Sequence, residues 1–144
     1  MKLLRREYKS VLEKVPILCV DGILTNEKNQ VLLVKRKIEP FKKQWWVPGG
    51  RVLKGEDLEK AFKRKMREEL GIKVLNVVPV GYYEERHQSR SWGVRGGVHA
   101  VSVVFAAVPA SLDVRLDEQS SEWAFFDGLP KRFRIKPFNG IRFR

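Results

Sequence analysis

The segment from Gly50 to Ile72, GRVLKGEDLEKAFKRKMREELGI, constrains the fold of this chain most. Leu58, Ala61, Phe62, Met66 and Leu70 recur at spacings of three and four, so they form one apolar stripe along a helix. Gly71 is the natural stop. Glu68 and Glu69 then fall in the last turn, where exposed carbonyls make an acidic side chain cost about 0.3 to 1 kcal/mol. Two kinds of compensation are open. Arg64 and Lys65 precede the two acids by four residues and can form surface pairs worth roughly 0.2 to 0.5 kcal/mol each. Alternatively, the acids hold a divalent cation, since Mg²⁺ takes carboxylate oxygens, keeps several waters and completes its shell with substrate phosphates.

Around this helix the sequence reads as one mixed α/β domain over residues 1–144. Runs rich in Ile, Val and Leu predict strands at Ile17 to Leu24, Val31 to Lys35, Val74 to Tyr83, His99 to Val108 and Glu122 to Asp127. Thr25 to Gln30 is a polar turn, and Tyr8 to Glu13 is a short amphipathic stretch fit for an extra helix. Gln88 to Gly97 reads as a loop. Pro137 and Gly140 rule out a long final helix and favour a short turn within Pro130 to Arg144. A chain of 144 residues with 43% hydrophobic content suits a single core, and no apolar stretch is long enough for a bilayer. The basic start MKLLRREYKS is not followed by a signal-peptide pattern, and the single Cys19 reads as a buried thiol; both point to a reducing, cytoplasmic setting.

The spacing in Gly50 to Ile72 carries more than a helix. It resembles the signature of the Nudix hydrolases: Gly, five residues, Glu, seven residues, Arg-Glu, an aliphatic residue, any residue, Glu-Glu, any residue, Gly and an aliphatic residue. Gly50, Glu56, Arg64, Glu68, Glu69, Gly71 and Ile72 match, whereas Lys65 stands where that family carries a Glu that binds metal or serves as base. The resemblance implies the Nudix fold, a mixed β-sheet sandwiched between α-helices, and a Mg²⁺- or Mn²⁺-dependent hydrolase of nucleotides. Within the superfamily, PILCVDGIL, QVLLVKRK and QWWVPGGRVLKGE look most like the GDP-mannose mannosyl hydrolases.

That likeness implies roles residue by residue. Asp21, Arg36 and Arg51 fall where that group engages the nucleotide sugar and its diphosphate. Glu68, Glu69 and the Gly49 carbonyl would hold the metal, with Gln119 of DEQSSEW as a further ligand. Ser120 replaces the His base of the same loop, and a neutral Ser cannot take a proton from water without a base of its own. Glu118 therefore ranks first among the remaining bases, ahead of His87; His99 reads as a satisfied structural residue. The catalytic set is Asp21, Arg51, Glu69 and Glu118. Arg36 and Arg51 present planar forks suited to phosphate oxygens, with ion pairs to Asp21 or Glu56 as the competing reading. Glu56 is expected to pair with Arg64.

Other signals narrow the reading further. Gly50 and Gly55 have the separation of a nucleotide-binding glycine loop, but Glu56 stands where that loop needs Lys. Of Trp45 and Trp46, alternation sends one to the core and leaves the other to stack on a base or sugar; Trp46 is assigned to substrate. The net charge of +12 attracts any polyanion, RNA included, but part of the excess lies in the terminal stretches Lys2 to Arg6 and Lys131 to Arg144. The favoured partner is a small-molecule nucleotide, with no membrane; a homodimer is left open. The function expected is hydrolysis of a nucleoside diphosphate linked to a sugar by attack at the sugar carbon, releasing GDP and free sugar as the likeness to the mannosyl hydrolases implies. Attack at phosphorus, which splits the diphosphate, ranks behind it. The alternatives are cleavage of a nucleoside triphosphate and a nucleotide- or RNA-binding module without turnover.

Overall fold

The computed structural model describes residues 3–38, 41–88 and 93–139. In chain order these form α1 (Arg5–Lys14), β1 (Ile17–Leu24), β2 (Val31–Arg36), β3 (Trp45–Trp46), β4 (Gly49–Arg51), α2 (Leu58–Leu70), β5 (Val74–His87), β6 (Val98–Pro109), β7 (Ser120–Phe126) and β8 (Lys136–Pro137). One mixed sheet runs β4-β1-β6-β5-β8, and a smaller one runs β3-β2-β7. β1 lies parallel to β6 and antiparallel to β4. No described helix is long and apolar enough to cross a membrane.

The apolar stripe of α2 is the centre of the packing. Ala61, Phe62, Met66 and Leu70 are fully buried, and Phe62 stacks on Phe105 of β6 with ring centroids 5.1 Å apart. Gly71 ends the helix in the left-handed region at φ 66°, which a residue without Cβ adopts at no steric cost. β2 is buried on both faces. Its Leu32 and Val34 join the α2 core, whereas Leu33 and Val31 join a second cluster with Trp46, Val47, Tyr83, Val104 and Phe133. Two-sided burial explains why VLLV shows no polar alternation. A third, smaller cluster seats α1, where Leu12 meets Val94 and Val98.

The observed elements differ from the sequence reading in places with physical causes. β5 continues from Tyr83 to His87, because Glu84 to His87 stay in register with Val98 to Val101 although their side chains are polar. β3 and β4 are too short to leave a periodic signal and exist through pairing alone. β7 begins at Ser120 because its ladder with β2 skips a residue: Lys35 faces Glu122, but Arg36 faces Ser120. The expected turn near the end contains β8, placed by Gly81 and Tyr82 of β5. Residues 89–92 of the expected loop, and Gly140 onward, lie outside the described residues.

Truncating Phe62 to Ala removes a fully buried ring and should cost about 3 to 5 kcal/mol, read as a lowered urea midpoint with an unchanged slope. Leu75, which is 53% exposed, sets the comparison: its change to Ala should stay within about 0.5 kcal/mol.

Candidate active site

A cavity of about 420 Å³ opens where β1, β4, the end of β2 and α2 meet, with α1 and β5 on its flanks. The turn WVPGG builds one wall. Pro48 accepts a hydrogen bond from the Gly22 N–H at 2.9 Å, which brings Gly49 opposite Asp21 of β1. A Cβ on Gly49 would stand 2.0 Å from Asp21 Oδ1 and 2.3 Å from the Val20 carbonyl, so only glycine fits. The Gly49 N–H donates to Glu69 Oε2 at 2.9 Å. Glu69 is 5% exposed, and burial pushes its carboxyl up to about 7 against the opposing charge of Lys65 and this N–H.

Asp21 sits beside it, half-buried at the cavity wall, with Oδ2 accepting from the Ser102 hydroxyl. Burial pushes the Asp21 carboxyl up to about 7, opposed by that hydrogen bond and reinforced by the Glu85 charge. Cys19 precedes it on the same strand, only half-buried and facing the cavity rather than the core. Burial pushes its thiol up to about 12, which leaves it an inert wall.

Arg64 is the brace. Its Nε donates to Glu56 Oε2 at 2.6 Å and its Nη2 to Glu56 Oε1 at 2.9 Å and to the Arg51 carbonyl at 3.0 Å, while Nη1 reaches Glu68 at 3.1 Å. Glu56 also accepts from the Leu53 N–H. Glu56 is thus the structural partner that its spacing suggested. Glu68 is half-exposed; burial opposes its ionisation, but Arg64 and Lys65 outweigh that and hold its carboxyl below the usual range. Lys65 was expected in a surface pair. Instead its side chain is 9% exposed, with Nζ 3.3 Å from Glu68 Oε2 and 3.5 Å from Glu69 Oε1, because position 65 lies on the buried face of α2.

The two phosphate candidates come from different elements onto this one cavity. Arg36 ends β2 at the skipped register, and Arg51 ends β4 with its guanidinium 4.4 Å over the Tyr8 ring of α1. No ion pair from Arg51 to Asp21 or Glu56 is present among the described residues. Gln119 and Ser120 both line the cavity although they are adjacent, because Gln119 lies in the turn before β7 and Ser120 opens the strand opposite Arg36. Asp117 Oδ1 accepts from the Gln119 N–H and sets that turn; Glu118 is left exposed and outside the cavity lining, away from the other candidates. Trp46 lines the cavity and also packs in the core against Phe133 and Tyr83, while Trp45 leans on Phe126 at 5.0 Å.

The sequence reading missed Tyr8, Ser102, Tyr83 and Glu85, all of which line the cavity. Tyr83, Glu85 and His87 alternate along β5 and would have been found together had the strand been extended past Tyr83. His87 is at the cavity, with burial holding its imidazole below the usual range. His99 departs from expectation: its Nε2 is buried without a hydrogen-bond partner among the described residues.

The acids fit a divalent cation of one particular kind. Glu69 offers hard carboxylate oxygens at the cavity with Gly49 and Gln119, and the half-exposed Glu68, outside the cavity lining, adjoins it across Lys65. This suits an ion shared with substrate phosphates and water. They do not make a cage of protein ligands alone, since no group of three or more His, Cys, Asp or Glu able to hold a metal occurs among the described residues.

Comparison with known proteins agrees with this geometry. A protein-family model described as NUDIX domain matches residues 16–136. The chain is 36% identical over 130 residues to a protein named ADP-ribose pyrophosphatase from Methanocaldococcus jannaschii, covering 88% of this chain and 70% of that one. It is 30% identical over 121 residues to the low-salt glycan biosynthesis protein Agl8 of Haloferax volcanii, covering 84% and 77% respectively. Among solved structures, a MutT NUDIX hydrolase from Burkholderia pseudomallei superposes with a TM-score of 0.68 at 28% identity, over 82% of this chain and 89% of that one.

Arg64 holds the Glu56 carboxyl down to about 2. A carboxyl depressed in the folded state stabilises above its unfolded value of about 4.3, and that contribution disappears as pH falls through about 2. Glu56→Gln should therefore lower the urea midpoint at pH 7, and its deficit against the unsubstituted protein should shrink steadily between pH 4 and pH 2.

Proposed function

Since the chain belongs to the NUDIX family, a family of hydrolases, we propose that it hydrolyses the diphosphate linkage of a nucleoside diphosphate joined to a sugar. The observation that carries this reading is the convergence of Arg36, Arg51, Glu69 and Trp46 on one cavity of about 420 Å³, a size suited to a small-molecule ligand. The relative named for ADP-ribose, itself a nucleoside diphosphate joined to ribose, supports the same class.

In this reading Arg36 and Arg51 hold the diphosphate oxygens as forks, and Tyr8 keeps the Arg51 guanidinium in place from its open face. Trp46 offers an apolar side for the base or sugar, and its packing against Phe133 keeps that side rigid. Glu68 and Glu69, with the Gly49 carbonyl and Gln119, would hold Mg²⁺ or Mn²⁺, which when bound neutralises charge on the diphosphate and improves the leaving group. Asp21, fixed by Ser102, takes the proton from the attacking water. Water attacks phosphorus, the bond to the bridging oxygen breaks, and a nucleoside monophosphate and a sugar phosphate result.

The likeness to the GDP-mannose mannosyl hydrolases suggests the other bond, with water attacking the sugar carbon and GDP leaving. That route needs a base on the loop before β7. Ser120 is buried there without proton-accepting power at neutral pH, and Glu118 is exposed beyond the cavity; both weigh towards phosphorus.

Phosphorus NMR of products from a panel of nucleotide sugars, ADP-ribose and GDP-mannose included, should give nucleoside monophosphate and sugar phosphate. Release of nucleoside diphosphate with free sugar would overturn the choice of bond, and cleavage of nucleoside triphosphates alone would overturn the substrate class. In the same assay Glu69→Gln should abolish metal-dependent turnover, and Asp21→Asn should lower kcat by about 10²-fold or more with a smaller change in KM.

A further inference from the structure

Lys65 breaks the acidic signature, and its surroundings give the substitution a purpose. The stem runs beneath β4: a Cβ on Gly50 would stand 2.3 Å from Lys65 Cε and 2.9 Å from its Nζ, so the strand is cut away at that point to admit the side chain. The ammonium then faces both acids, at 3.3 Å from Glu68 and 3.5 Å from Glu69, and it borders the same cavity as Arg51 and Asp21. A carboxylate at position 65 would complete a group of three acids at i, i+3 and i+4 on one helix face. With Lys there, no such group exists among the described residues.

Local charge balance governs how this site meets a cation. Glu68 and Glu69, when ionised, carry two negative charges; Arg64 touches Glu68 but directs two of its hydrogen bonds to Glu56, a third carboxylate, whereas Lys65 reaches both acids. Lys65 thus sets a positive charge against both carboxylates from within and weakens the pull of the pair on a free divalent cation. A bound diphosphate restores negative charge on the open side of the cavity. We propose that Lys65 is a resident cation that keeps the Glu68 and Glu69 pair from binding a divalent ion on its own, so that metal enters together with the diphosphate of the substrate. This rests on the diphosphate reading above and adds the order of assembly. Lys65 acts through the two acids and is a positioning residue.

The test measures Mn²⁺ retained by the protein on ultrafiltration, with and without methylenediphosphonate, a diphosphate that cannot be hydrolysed. In the unsubstituted protein, apparent Mn²⁺ affinity should rise about tenfold or more when the diphosphonate is added. Lys65→Glu should bind Mn²⁺ about tenfold or more tightly without it, and the diphosphonate should add little. Lys65→Met, which removes the charge while keeping an apolar stem, should also tighten Mn²⁺ binding in its absence. Equal Mn²⁺ affinity of the unsubstituted protein and Lys65→Met without diphosphonate overturns the proposal, and that comparison decides even if Lys65→Glu does not fold. Because no turnover is read and no nucleotide is present, failure here is distinct from failure of the substrate assignment, which the product analysis reports.

Discussion

One hydrogen bond organises this molecule: the Gly49 N–H donating to the buried Glu69 carboxylate. A carboxylate taken out of water needs a partner, and a backbone donor on a neighbouring strand supplies one while fixing the gap between strand and helix. The end of the same helix holds a second segment. Its last carbonyls lack partners within the helix, and those of Glu69 and Leu70 accept from the backbone N–H groups of Asp117 and Arg115. The last turn of α2 thereby sets the positions of both β4 and the approach to Gln119. Arg51 and Gln119, far apart in sequence, are brought to one cavity by a single turn of helix.

The charged residues of this helix divide their work. Arg64 faces outward along the loop and ties Glu56, the Arg51 carbonyl and Glu68 into one brace, so the loop from Val52 to Asp57 is held by side chains rather than by regular structure. Lys65 faces inward, where its stem is packed and its charge is directed at the two acids. Adjacent basic residues that look alike in the sequence therefore have opposite environments, as the rotation of 100° per residue requires.

The same geometry explains how much of the molecule was legible in its sequence. The α2 stripe, its stop at Gly71 and the Glu56 to Arg64 pair were legible, because each depends on local spacing. So was β1, within its expected bounds, and Asp21, Arg36, Arg51 and Glu69, singled out together in the sequence, line one cavity. The burial of Lys65 was not legible, since it depends on Gly50 lacking a side chain in a strand only three residues long. Ser102 and Glu85 were hidden for a different reason: they lie on strands whose pairing with β1, directly or through β6, is known only once the sheet is assembled. Glu118 was ranked as a base on its closeness to Gln119 in sequence, and the Asp117 turn then sends the two neighbours in different directions.

The skipped pairing between β2 and β7 decides which serine faces the cavity. Because Ser121 is passed over, Ser120 rather than Ser121 stands opposite Arg36 at the cavity; regular pairing of the same residues would put Ser121 there and turn Ser120 to the other face. The residues of β2 opposite, and with them the buried core, would keep their places. A shift of pairing at this edge thus exchanges the side chains that face the wall while the packing of the interior stays as it is.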